Sequence, residues 1–255
     1  MLTASHPVED VHPAGRGIAR RSLRRGALIA ALLALGAGAA APARALQAVD
    51  YLPLVPGTSW TRSSPFGTFT ETVLPGTVMV NGVATRVVEL SQGGVAITRF
   101  HYTVDASGAR VHRISFPTTG ESWTYDPPYG ILPGGNFSVG TEFSETSAIT
   151  VAGATQPAPH QRTNELTVSR IESVTVPAGT FTALVVENEG SQFGSPVTST
   201  VWFAEGVGIV KTSTNTGSFT IVEELTALPE PAGAAGAALA ALVALAARQR
   251  PRPVR

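Results

Sequence analysis

The chain of 255 residues contains no cysteine, and that absence excludes several kinds of site. Disulfide bonds, thiolate metal ligands and cysteine nucleophiles cannot form, so the fold must be stabilised by packing alone. Lysine is nearly absent too, with Lys211 the single instance. The sequence also lacks Gly-x-Ser-x-Gly, phosphate-binding glycine loops and His-Glu-x-x-His. It therefore predicts a protein with no cofactor and no recognisable catalytic centre.

A formal charge of zero conceals a separation of charge along the chain. Residues 46–228 hold 15 Asp and Glu against 8 Lys and Arg, a formal charge of −7, and the other 10 basic residues lie in the two ends. Because binding to phosphates requires clustered positive charge, this acidic region argues against a nucleic-acid surface. The region is long enough for one domain with a single core.

Residues 1–45 have the pattern of a secretory signal peptide. An Arg-rich start precedes an apolar run over residues 26–41, and Ala43 and Ala45 are the small residues that a signal peptidase needs. We expect cleavage after Ala45, with the export machinery and signal peptidase as partners. Arg20-Arg21 and the residues around it are similar to a twin-arginine signal, and an ordinary secretory signal is the alternative. Both alternatives export the protein.

Residues 46–228 follow a period of two, which indicates β-strands. Segments rich in Val, Thr, Ile, Phe and Tyr are separated by Gly, Pro, Asn and Asp. Sequential hairpins then predict an all-β, single antiparallel meander domain. The predicted strands are Ser59–Arg62, Phe69–Leu74, Val78–Val80, Ala84–Leu90, Ala96–Val104, Arg110–Phe116, Glu142–Val151, Asn164–Thr175, Thr180–Glu187, Val197–Phe203, Val207–Thr212 and Phe219–Leu225.

Turn chemistry predicts which of these strands pair. Asn81-Gly82 tolerates the positive φ angles of a two-residue hairpin turn. Asp105–Gly108 and Pro177–Gly179 predict two further hairpins. Residues 127–135 and 152–160 are rich in Pro and small residues, so we expect surface loops there.

His101 and His112 flank the Asp105–Gly108 turn and are the candidate start of a metal site. A two-residue loop would place the imidazoles directly opposite each other, with Glu121 as a further ligand. A glycine bulge would change the register and turn the rings to opposite faces. The sequence fixes no third ligand, so solvated strand histidines are the expected outcome.

Paired glutamates are the candidates for a hydrolase, because glycoside hydrolysis uses two carboxylates. The sequence offers the pairs Glu142/Glu145, Glu187/Glu189 and Glu223/Glu224. Glu187 and Glu189 share a strand face but adjoin a polar turn, so we expect solvent-facing charges.

Residues 229–255 begin with Pro229-Glu230-Pro231, continue with an apolar run over 232–247, and end in a basic cluster that includes Arg248 and Arg250. An apolar run before a cluster of Arg stops a chain in a membrane. The pattern closely resembles the PEP-CTERM sorting signal. The resemblance implies an exosortase-like enzyme that cuts near the motif, transient anchoring in the inner membrane, and delivery to an envelope in which exopolysaccharide is a further partner.

The predicted tail helix is weak as a permanent anchor. Residues 232–247 would span about 24 Å as a helix, short of a hydrocarbon core of roughly 30 Å. Ten of those residues are Ala, which gains much less than Leu on insertion. We therefore expect a removable address, with an ordinary tail anchor as the alternative.

Three segments resemble secreted and lipoprotein-type bacterial β proteins of unassigned activity: residues 51–60, 174–181 and 202–211. That resemblance implies a curved sheet or half-barrel between the signal helix and the C-terminal hydrophobic helix, and some such proteins handle lipids. Trp60 and Trp202 are expected in the core. The resulting hypothesis is an exported, non-catalytic protein of the cell envelope, surface or matrix. The alternatives are a carrier of lipid or other apolar ligands, and a hydrolase.

Overall fold

The computed structural model describes residues 45–155 and 160–230; the predicted signal peptide and tail helix lie outside them. The described part contains one short helix and thirteen strands, and each predicted strand overlaps one of these. No helix within those two ranges is long and apolar enough to cross a membrane. The bounds are α1 Ala48–Tyr51, β1 Ser59–Ser64, β2 Gly67–Val73, β3 Val78–Val80, β4 Val83–Gln92, β5 Val95–Asp105, β6 Gly108–Phe116, β7 Glu121–Leu132, β8 Glu142–Ala152, β9 Gln161–Val176, β10 Gly179–Gln192, β11 Ser195–Ala204, β12 Gly208–Asn215 and β13 Thr220–Glu230.

The strands form an antiparallel meander that closes on itself. Neighbours in the sheet follow chain order, and β13 returns to pair with β1. A further ladder joins β2 to β4, from Thr70↔Ser91 to Val73↔Val88, while the start of β4 pairs with β3. Twelve strands thus form a closed barrel, with β3 added beside β4. The predicted meander is confirmed, but the predicted half-barrel is wrong, because closure pairs the edges that an open sheet leaves exposed.

The three predicted hairpin turns are present. Asn81 and Gly82 have φ angles of 48° and 80°, as a two-residue turn with right-handed strand twist requires. Asp105 pairs with Gly108, and Val176 pairs with Gly179. Local turn chemistry therefore sets the pairing of these three hairpins.

The predicted loop over residues 127–135 is wrong, since β7 continues to Leu132 and includes Pro127 and Pro128. The ladder between β7 and β8 stops at Asp126↔Ala148, so neither proline has to donate a hydrogen bond to β8. Beyond that point the Gly130 N–H donates to the Glu145 carboxylate, and Asn164 Nδ2 donates to the Gly130 carbonyl at 2.9 Å. We call this side-chain replacement of the ladder the Gly130 seam.

Residues before β1 pack against the inner face of the barrel. Leu46 and Phe137 exchange two backbone hydrogen bonds, of 3.2 and 3.1 Å. Ala48, Tyr51 and Leu52 are buried in one cluster with side chains from β6, β7, β9, β10 and β11. The N-terminal segment is therefore part of the core.

The chain enters and leaves the barrel at the same end. Ser59, the first residue of β1, pairs with Glu230, the last residue of β13. Because successive strands run in opposite directions, the hairpin tips that contain Phe66 and Phe219 lie at the other end. Both side chains are exposed, by 68% and 54%.

The two tryptophans differ in their surroundings. Trp60 is 4% exposed and donates from Nε1 to the Val207 carbonyl at 2.7 Å. Trp202 is half-buried, donates to Glu172 at 2.7 Å, and lies beneath Lys211. The core prediction is confirmed for Trp60 and only in part for Trp202.

Candidate functional site

A groove on the outer face of β4 to β7 combines charged, neutral polar and apolar side chains. On β5, Phe100 and Tyr102 pack against the core, so alternation turns Arg99 and His101 outward. The groove has a volume of about 410 Å³, and its lining includes Leu74, Val87, Arg99, His101, Arg113 and Glu121. We call it the Arg113 groove.

The two arginines of the groove differ in their pairing. Arg99 forms an ion pair with Glu89 at 2.8 Å. Arg113 donates from Nε to the Thr124 hydroxyl at 2.9 Å, and makes no ion pair with any residue of 45–155 or 160–230. Its terminal amino groups are the main unpaired positive charge of the groove.

His101 is a neutral member of the groove. It is 6% exposed, and its two ring nitrogens lie 3.5 Å from the hydroxyls of Thr85 and Ser115. Burial, followed by the charges of Arg113 and Arg99, lowers the pKa of His101 to about 4. Near neutral pH the ring therefore offers one donor and one acceptor.

The register between His101 and His112 matches neither alternative in full. The turn is a two-residue loop, but a shift after the Tyr102↔Val111 pair places His101 opposite Arg113. His112 Nε2 lies 3.0 Å from the hydroxyl of Thr103, which shares the outer face with His101. The histidines therefore share a face without facing each other, because a bulge absorbs one residue of β6.

The expectation of solvated histidines is wrong, since His101 is 6% and His112 is 5% exposed. The metal hypothesis for this pair gains no third ligand. Within the described residues no group of three or more His, Asp or Glu side chains is arranged to hold a metal ion. Glu121 accepts a hydrogen bond from Trp123 Nε1 at 2.5 Å. Burial and the charge of Arg110 also lower the pKa of His112.

A second polar cluster lies inside the barrel, around Arg62. This residue is 2% exposed, donates to Glu71 at 2.8 Å and to the Ile209 carbonyl at 2.5 Å, and leaves Nη1 without a partner among the described residues. Burial and then the charge of Glu71 raise the pKa of Glu223. A void of about 30 Å³ lies beside Arg62 and Tyr102, which is room for water rather than for a ligand.

The predicted glutamate pairs do not act as pairs. Glu187 is 46% exposed at its side chain and bonds Arg170 at 2.6 Å, in keeping with the solvent-facing prediction for that residue. Glu145 belongs to the Gly130 seam and Glu142 is exposed. Glu224 pairs with Lys211 across β12 and β13, whereas Glu223 lies by Glu71.

The predicted processing residues lie at the margins of the structure. Ala45 is exposed, and Pro229 and Glu230 are the last two residues of β13. The remaining positions, Ala43, Pro231, Arg248 and Arg250, lie outside the described residues. Cleavage next to Glu230 would therefore take place at the end of a paired strand.

Neither Arg113 nor Arg62 was singled out from the sequence. Both are isolated arginines in alternating strands, and only the pairing of distant strands reveals their surroundings. The available signal was weak: Arg113 lies beside the two histidines, on the strand predicted as Arg110–Phe116.

The fold is a closed antiparallel β domain with a groove on its outer face. The family model described as DUF3108-like matches residues 134–218. One similar solved structure is a candidate lipoprotein from Parabacteroides distasonis ATCC 8503, with 14% identity, coverage of 70% of this chain and 97% of that chain, and a TM-score of 0.30. Another is a candidate exported protein with a YmcC-like fold from Bacteroides fragilis NCTC 9343, with 13% identity, coverage of 70% and 98%, and a TM-score of 0.36. No curated protein matches the chain.

Proposed function

We propose that this chain is an exported, non-catalytic binding protein of the cell envelope, sorted by its C-terminal signal and held at the cell surface or in the matrix. Its partners on this route are the export machinery, signal peptidase and an exosortase-like enzyme in the inner membrane. Its partner at the destination is exopolysaccharide.

The single observation that carries the proposal is the position of the chain ends. Ser59 pairs with Glu230, so the apolar tail begins at the end of the barrel where the chain also enters. The hairpin tips that contain Phe66 and Phe219 lie at the opposite end of the barrel. A removable tail suits this arrangement, because only the last residues of β13 adjoin the cut.

The chemistry of the groove supports a non-catalytic role. His101 lies 3.5 Å from the Ser115 hydroxyl, a pair that resembles a nucleophile and its base. A general base works best with a pKa near the operating pH. The pKa of His101, lowered to about 4 by burial and by Arg113 and Arg99, makes the ring a poor base.

Intact mass spectrometry of the protein recovered from its own host tests the sorting proposal. We expect a mature species that begins at Leu46 and lacks residues 232–255. Replacing Arg248 and Arg250 with Gln should cause the tail to be retained, while the same change at exposed Arg170 should not. A wild-type protein that keeps its tail would overturn the proposal.

A carrier of small apolar ligands is the second candidate, because one surface groove favours it. This groove has a volume of about 510 Å³ and is lined by Tyr51, Ile171, Phe181 and Leu184, within the size range of small-molecule sites. Native mass spectrometry and organic extraction test the candidate. Protein from the host that carries no bound ligand would count against it.

A further inference from the structure

We infer that the Arg113 groove binds the carboxylate-bearing sugar residues of an acidic glycan. The inference rests on the proposed function for the class of partner and extends it to a site and a chemical group. It is carried by three features of the groove: one unpaired cation, several neutral hydrogen-bonding groups, and an apolar wall.

The cation comes first, because it selects a negative charge. Arg113 uses Nε for Thr124 and makes no ion pair within the described residues, so its terminal amino groups can bind a carboxylate. A planar guanidinium matches the two oxygens of a carboxylate. Arg99, already paired with Glu89, adds less.

The neighbouring carboxylate restricts how much negative charge the groove accepts. Glu121 lines the same groove as Arg113, and residues 46–228 carry a formal charge of −7. A phosphate-rich or sulfate-rich polymer would be repelled by both. A polymer with one negative charge per repeating unit, such as a chain of uronic acids, would bind Arg113 with less electrostatic repulsion.

Neutral groups beside the cation suit sugar hydroxyls. The hydroxyls of Ser115 and Ser122 line the groove, and the two residues are direct partners across β6 and β7. Each of these groups can donate and accept hydrogen bonds, as each hydroxyl of a sugar does.

The apolar wall suits the remaining surface of a sugar ring. The apolar residues Leu74, Val78 and Val87 also line the groove. Sugar rings present C–H groups between their hydroxyls, and these bury apolar surface against such a wall. A volume of about 410 Å³ fits a short glycan segment rather than a folded protein.

Calorimetry with the purified full-length chain and trigalacturonate tests the inference, with galactotriose as the neutral match and inorganic phosphate as the plain anion. We expect trigalacturonate to bind at least about tenfold more tightly than galactotriose, the effect of one charged hydrogen-bond pair. Arg113→Gln should weaken binding about as much, and Arg113→Lys should restore part of it. Arg170→Gln, at an exposed arginine paired with Glu172 and Glu187, should bind like the wild type.

Several results would overturn the inference. Equal binding of the neutral and acidic trisaccharides would remove the role of the carboxylate. Equal affinity of the Arg113→Gln and Arg170→Gln variants, with both folded by circular dichroism, would remove the site. Displacement of trigalacturonate by equimolar phosphate would reduce it to an unspecific anion site. Tail processing is measured separately by mass, so a processed chain that binds no acidic sugar refutes only the glycan site.

Discussion

At the scale of single residues, we expect His101 to make the fold sensitive to acid. Burial, and then Arg113, Arg99 and His112, lower its folded-state pKa from 6.5 to about 4. The unfolded chain therefore takes up the proton first as the pH falls. The stability that neutral His101 contributes is complete above about pH 6.5, is lost between pH 6.5 and pH 4, and amounts to at most about 3 kcal/mol.

Replacing His101 with Gln should flatten this decline. We expect the free energy of unfolding of the wild type, measured in urea, to fall between pH 7 and pH 4.5 by more than that of His101→Gln. His160→Gln, at an exposed position, is the control and should follow the wild type. An identical decline in His101→Gln and wild type would contradict the assignment.

Arg62 is the second residue whose surroundings set a measurable energy. It is 2% exposed and bonded to Glu71, so Arg62→Met leaves a carboxylate in the barrel interior without its cation. We expect a loss of about 3 kcal/mol, as for other buried pairs with one partner removed. The double variant with Glu71→Met should recover part of the loss, because both charges are then gone. Urea unfolding of the two variants measures this, and a double variant less stable than Arg62→Met would contradict it.

At the scale of elements, the sequence predicted the positions of the strands better than the details of their pairing. Alternation and turn chemistry located twelve of the thirteen strands, because hairpin pairing is local. It missed β7, which continues through Pro127 and Pro128 after its ladder with β8 has ended at Asp126. It also missed the bulge at His112, since one extra residue leaves the apolar pattern almost unchanged.

The Gly130 seam offers a test at this scale. Asn164 is 2% exposed and donates to the Gly130 carbonyl, so Asn164→Leu leaves that buried acceptor unpaired and should cost about 1–3 kcal/mol. Asn188→Leu is the matched control, because Asn188 is 6% exposed and its Oδ1 has no partner among the described residues. It should change stability by less than about 1 kcal/mol. Equal losses in the two variants, measured by urea unfolding, would show that the seam adds nothing.

At the scale of the whole molecule, closure is the feature that local patterns could not predict. The β2–β4 ladder pairs two strands that are separated in the sequence by β3, and the β1–β13 ladder joins the first and last strands of the domain. Each ladder joins two strands that are distant in the sequence, and no local pattern in either strand identifies its partner. The Arg113 groove depends on the same assembly, because Leu74 and Arg113 come from separate parts of the sheet.

The N-terminal segment should stabilise the whole barrel, although it belongs to no strand. Tyr51 is 7% exposed and belongs to one buried cluster with Leu166, Leu184 and Phe203, so Tyr51→Ala should cost about 3–5 kcal/mol by opening a cavity in that cluster. Val49→Ala, two residues earlier and 44% exposed, is the matched control and should stay within about 0.5 kcal/mol of the wild type. Thermal unfolding of the full-length chain separates the two outcomes. A Tyr51→Ala protein as stable as the Val49→Ala protein would contradict this prediction. It would mean that the segment retained by cleavage after Ala45 adds little to the stability of the barrel.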